Sequence, residues 1–111
     1  MDMRIFEKQA AIAKAIAHPI RMAVLEYLKP GEQCVCDIAA AVGTERTNLS
    51  KHLSVMTAAG VLTSRKDGLK VMYHVKTPCL LGFMDCIKEC LIEQAEEQQQ
   101  MLEMLNQSNG N

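Results

Sequence analysis

The chain has 111 residues, a formal net charge of −1 at pH 7, 49% apolar residues, five Cys, no Trp, and two each of Tyr and Phe. That length allows one small core, which aliphatic residues and Met must fill. No apolar run approaches a membrane span, and no hydrophobic signal region follows Met1-Asp2-Met3-Arg4. An odd cysteine count without a secretion signal points to reduced thiols in a cytoplasm rather than a disulfide framework.

Ile5, Ala11 or Ile12, and Ala15 or Ile16 give a helical stripe over residues 3–17, broken where His18 precedes Pro19. Pro19 suits the first turn of a second helix, which should bury Ile20, Val24, Leu25 and Leu28 and end before Pro30-Gly31. Residues 36–42 read as a short helix with Ile38, Ala39 and Val42 inward, stopped at Gly43. Thr44 is placed to cap the next helix, whose apolar face is Leu49, Leu53 and Met56 and whose end is Ala59-Gly60. A short helix, a glycine turn and a second helix with a polar outer face make the helix-turn-helix signature. Residues 61–65 and 70–75 then read as strands around Asp67-Gly68, a hairpin signal. The fold class is therefore mainly α with a β-hairpin wing, a winged helix-turn-helix.

Residues 79–105 form the last expected helix. Leu80, Met84, Ile87, Leu91, Gln94 or Ala95, Gln98, Leu102 and Leu105 recur at alternating three- and four-residue spacing, which suits packing against another helix. So small a core cannot cover a helix this long, and a homodimer through the terminal helices is expected. Residues 1–105 are read as one DNA-binding and dimerisation domain, and the polar residues 106–111 as a disordered tail. Charge is segregated along the chain. Arg46, Lys51, Arg65, Lys66, Lys70 and Lys76 against Glu45 and Asp67 give residues 44–76 a net +4. Lys88 against Asp85, Glu89, Glu93, Glu96, Glu97 and Glu103 gives residues 77–111 a net −5. A polyanion would bind the middle segment.

Four stretches carry a resemblance: His18-Pro19-Ile20-Arg21, Cys34-Val35-Cys36-Asp37-Ile38, Asn48-Leu49-Ser50-Lys51-His52-Leu53, and Val71-Met72-Tyr73-His74-Val75. Together they resemble the ArsR/SmtB family of metal-responsive repressors over about residues 5–93. The resemblance implies a winged-helix homodimer that occupies a promoter and lets go when an inducer binds. Its two-state dimer would shift to a geometry that no longer matches successive major grooves.

The outer face of the recognition helix would then present Arg46, Thr47, Asn48, Ser50, Lys51 and Ser54 to double-stranded DNA. Asn pairs with an adenine edge, Arg or Lys with guanine, and Ser or Thr with bases or phosphates. Asn48 and Ser50 are expected on bases, and Lys51 on a phosphate or a guanine. His52 resembles a position near the DNA side and is equally readable as a structural histidine. Arg65, Lys66 and Lys70 on the wing would contact phosphates, which confers affinity and salt sensitivity rather than sequence choice. A two-fold dimer predicts an inverted-repeat operator.

Two thiols at Cys-x-Cys spacing present soft ligands to one ion and favour thiophilic metals or trivalent arsenic over Mg or Ca. In the arsenic-responsive proteins that the chain resembles, this stretch supplies two of three sulfur ligands. The third would lie one helical turn on, where Ile38-Ala39-Ala40-Ala41 stands instead. Cys90 or Cys86 is the candidate replacement, and arsenite is the first-choice effector, with another thiophilic metal as the alternative. Cys79, Cys86 and Cys90 fall within about 40° of one another on a helix, but Cys79 and Cys86 are roughly 10 Å apart along it. One chain cannot bring all three to one ion, whereas an antiparallel partner helix would. The zinc-responsive pattern that the resemblance implies falls on Thr77, Cys79, Cys90 and Glu93, with both histidines replaced by cysteine.

Each cysteine also reads as an ordinary small core residue. A rival function on the same fold is a redox repressor, in which disulfide or polysulfide formation by Cys34 and Cys36, with one another or with the long helix, alters DNA binding. The chain reads as no enzyme: His18, His52 and His74 are its only histidines, and it has neither a phosphate-binding glycine loop nor a triad-like grouping.

Overall fold

The His18-Pro19 break separates α1 (Met3–Ile16) from α2 (Pro19–Tyr27) in the structure, a computed structural model that describes residues 1–109. Asp2 caps α1 by accepting from the Arg4 amide. His18 caps α2, its Nδ1 accepting from the Ile20 amide at 3.1 Å, while Pro19 takes a first-turn position that has no intrahelical bond to lose. α1 buries only Ala15 and Ile16, leaving Ile5, Phe6 and Ile12 exposed. Val24, Leu25 and Leu28 are buried as expected, and Ile20 is half-buried.

A short strand not foreseen from the sequence, β1 (Gln33–Cys34), leads into α3 (Val35–Val42). Two residues are too few to show an alternating pattern. α3 begins one residue earlier than expected, with Cys34 as its extended N-cap (φ −81°, ψ 156°). It ends at Gly43, whose φ of +77° is a left-handed conformation that a Cβ would strain, and whose amide returns to the Ala39 carbonyl at 3.0 Å. α4 (Arg46–Ala58) follows. Its N-cap is Glu45 rather than Thr44, and Thr44 Oγ1 instead accepts from Asn48 Nδ2 at 2.9 Å. Ile38 of α3 and Leu49, Leu53 and Met56 of α4 close over Val24 and Leu25 as the core, a stripe of apolar side chains withdrawn from water.

β2 (Leu62–Asp67) and β3 (Lys70–Val75) pair antiparallel from Leu62↔Val75 at the base to Asp67↔Lys70 at the tip. The turn is Gly68-Leu69, one residue beyond the Asp-Gly signal, with Gly68 at φ +63° in the first central position that two-residue II′ turns reserve for glycine. β1 adds to the other edge of β3, Gln33 opposite Tyr73 and Cys34 opposite Met72, giving a sheet of order β1-β3-β2. Leu62 and Val75 anchor the hairpin in the core while its tip is exposed.

α5 (Cys79–Asn109) completes the chain, which forms two compact units, residues 1–81 and a second from Gly82 onward. In the second unit Leu91, Ile92, Met101, Leu102, Met104 and Leu105 are exposed. The helix continues past residue 105 to Asn109, and Gly110 and Asn111 of the expected tail lie outside the described residues. Among the described residues no helix is long and apolar enough to cross a membrane.

Candidate functional site

α4 directs Leu49, Leu53 and Met56 inward, which leaves Arg46, Thr47, Asn48, Ser50, Lys51 and Ser54 on its exposed face. The Asn48 amide is steadied by Thr44, and Ser50 Oγ donates to the Arg46 carbonyl at 2.9 Å. Each polar side chain keeps acceptor or donor capacity for a base edge or a phosphate. Among the described residues Arg46, Lys51, Lys66 and Lys70 make no ion pair, so four cations on α4 and the wing stay open to an external anion.

Two other expected DNA ligands have partners inside the chain. His52 is half-buried, its Nδ1 accepts from Arg21 Nε at 3.0 Å, and its ring centroid lies 4.3 Å from that of His18. Burial first, then the charges of His18 and Arg21, hold its pKa below the usual histidine value. A neutral ring accepting from an arginine ties α4 to α2, the structural alternative for this residue. Arg65 is clamped by Glu32, with Nε to Oε2 at 2.8 Å and Nη2 to Oε1 at 2.6 Å. This fork-to-fork pair holds the Glu32 carboxyl below its ordinary range, chiefly through the Arg65 hydrogen bonds. Sequence reasoning missed Glu32, because no local pattern links residues 33 positions apart.

The Cys-x-Cys pair straddles the start of α3 with unequal exposure. Cys34 is 6% exposed, since it pairs with β3 and packs into the core, whereas Cys36 on the first turn is exposed. Both line a pocket of about 190 Å³, together with Asp37 of α3, Arg46 at the start of α4, and Leu69, Lys70 and Val71 of the wing. Two thiols, one carboxylate and two cations thus converge from β1, α3, α4 and β3. Leu69 and Val71 were absent from the expected site, because only the hairpin register brings them there.

The α5 thiols are elsewhere in the chain. Cys79 opens the helix, and Cys86 and Cys90, one turn apart, line a shallow depression with Asp85, Glu89 and Glu93. All five cysteines are free and, among the described residues, no three of His, Cys, Asp or Glu are grouped to hold a metal ion.

Comparison with known proteins agrees with this architecture. The profile of the bacterial regulatory protein, arsR family, matches residues 18–64. The arsenical resistance operon repressor of Staphylococcus xylosus is 29% identical over 86 residues, 78% of this chain and 79% of that protein. The crystal structure of the AntR antimony-specific transcriptional repressor is 30% identical with a TM-score of 0.71, covering 87% of this chain and 86% of that one. The solution structure of a homodimeric winged helix-turn-helix domain from Mycobacterium bovis, a possible ArsR-family regulator, is 24% identical with a TM-score of 0.76. It covers 87% of this chain and 92% of that one.

Proposed function

Because this chain belongs to the arsR family of bacterial regulatory proteins, and is a DNA-binding transcriptional repressor rather than an enzyme, we propose that its effector is a thiophilic metalloid, arsenite first, held by Cys34 and Cys36. The observation that carries this reading is the pocket in which both thiols face DNA-side cations. Arsenite exchanges hydroxide for thiolate: each thiol gives its proton to a departing hydroxide, two waters leave, and two As–S bonds form. The third position on arsenic keeps its oxygen or takes a further sulfur. Cys79 has no role in this scheme. Relatives named for arsenical and antimony responses support a trivalent effector of this group.

The repressor acts in the cytoplasm as a two-fold dimer on an inverted-repeat operator. Exposed apolar side chains on the terminal helices, Ile5, Phe6 and Ile12 on α1 and Leu91, Leu102 and Leu105 on α5, suit burial against a second copy. Asn48 and Ser50 read bases, while Arg46, Thr47 and Lys51 secure the helix and Lys66 and Lys70 hold phosphates along the wing.

Fluorescence anisotropy of the fully reduced protein on a duplex from upstream of its own gene, titrated with arsenite, tests the reading. Release near one arsenite per thiol pair is expected, and Cys36→Ser should bind DNA and ignore arsenite. A complex that arsenite leaves intact, and that oxidant dissolves, would replace the metalloid by a thiol redox signal.

A further inference from the structure

The wall of the thiol pocket is built from residues that DNA also needs. Arg46 is the first residue of α4, the end of a recognition helix that enters the groove, and Lys70 opens β3 at the tip of the wing, which follows the backbone. Both side chains line the pocket with Cys36, and neither is ion-paired, in contrast to Arg65 in the grip of Glu32. The pocket holds about six waters by volume, room for one phosphate-sized group. Cys36 is the exposed thiol of the pair and sits on the first turn of α3, where no side chain caps the free amides.

We propose that Cys36, Arg46 and Lys70 form one shared seat, taken either by an operator phosphate or by the thiol-bound effector and never by both. This rests on the effector reading above and gives its regulation: induction is direct competition at the DNA surface, in place of the expected shift in dimer geometry, with no complex containing DNA and effector together. A ligand fixed to Cys36 stands between the two cations and the phosphate they would hold. Conversely, a bound phosphate covers the Cys36 thiol. Linkage makes the exclusion reciprocal in binding free energy, so DNA must weaken effector binding at Cys36 as strongly as the effector weakens DNA binding.

Iodoacetamide alkylation of the reduced full-length protein, followed thiol by thiol by peptide mass spectrometry, reads the seat without any metalloid. With duplex at about 100 times its Kd, the Cys36 rate should fall about 100-fold if the bound state is closed to the reagent. Cys90 should keep its rate. Cys36 reacting equally fast on DNA, or all thiols slowing together, overturns the proposal. A second arm uses arsenite itself. Exclusion makes the apparent Kd for DNA climb in proportion to arsenite without a ceiling, whereas a ternary complex makes it level off at a coupling factor of about 5–150. A plateau overturns the shared seat even if Cys36 is protected. Protection of Cys36 combined with indifference to arsenite leaves the seat standing and removes the metalloid reading.

Discussion

Cys34 offers a substitution whose sign follows from the geometry. The residue is buried, so serine there invites the usual cost of a hydroxyl without a partner, about 1–3 kcal/mol. It is also the N-cap of α3, in extended conformation, with no side-chain cap bond. Serine is among the best N-cap residues, and a hydroxyl at that position reaches the amides of the first turn. The second effect should win, because the cap satisfies the hydroxyl that burial would otherwise strand. Relative to Cys34→Ala, Cys34→Ser should then be more stable by about 1 kcal/mol, the ordinary difference between Ser and Ala at an N-cap. For a folded unit of 60–100 residues that is about 4–8 °C in Tm. Circular dichroism melts of both variants at one protein concentration would read it, since a dimer's Tm moves with concentration. An alanine variant that melts higher than the serine variant would refute the capping argument and mean that the hydroxyl is buried unpaired. Both variants should lose the arsenite response alike, which separates the thiol's chemistry from its structural place.

The depressed His52 pKa makes stability depend on pH. The folded ring resists protonation below the ordinary value of 6.5, where the unfolded chain takes a proton, so its contribution is complete above that pH and is lost on acidification. The urea midpoint should fall between pH 7.5 and pH 5.5, less so in His52→Gln; equal midpoints for the native chain would contradict it. On DNA, Lys70→Ala should flatten the plot of log K against log salt by about 1.8, one phosphate contact in each protomer of the dimer. Arg65→Ala should flatten it less, because Glu32 already neutralises that charge; equal changes would mean that Arg65 leaves Glu32 for the phosphate. Leu91→Asp with Leu102→Asp should convert a dimer to monomers in sedimentation velocity, since each apolar side chain withdrawn from an interface forfeits about 1.5–3 kcal/mol. A dimer that survives both changes would move the interface off α5.

The helical core was legible because its periodicity is strong and its breakers are explicit. Leu49, Leu53 and Met56 fall on one face at 3.6-residue spacing, Gly43 marks the left-handed stop, and Pro19 marks a first turn. What stayed hidden depends on residues distant in sequence. β1 exists only because Gln33 and Cys34 meet Tyr73 and Met72, and two residues carry no pattern of their own. The Arg21–His52 and Glu32–Arg65 bonds likewise join elements that composition cannot pair. Cys34 and Cys36 were legible as a thiol pair. That Lys70 and Arg46 stand beside them depends on the hairpin register and on the angle between α3 and α4.

The unequal burial of the two thiols has a consequence for how a ligand is held. Cys34 is fixed on three counts: its backbone pairs with Met72, it caps α3, and its side chain is packed in the core. Cys36 is restrained only by the first turn of an eight-residue helix and keeps its rotamer freedom at the surface. A ligand bridging both is therefore positioned by Cys34 and closed upon by Cys36, with most of the ordering cost falling on the exposed side chain. Cys34 is joined to the wing through β1 and β3, and Cys36 lines one pocket with Arg46 and Lys70, so under the proposed shared seat recognition and release would meet there.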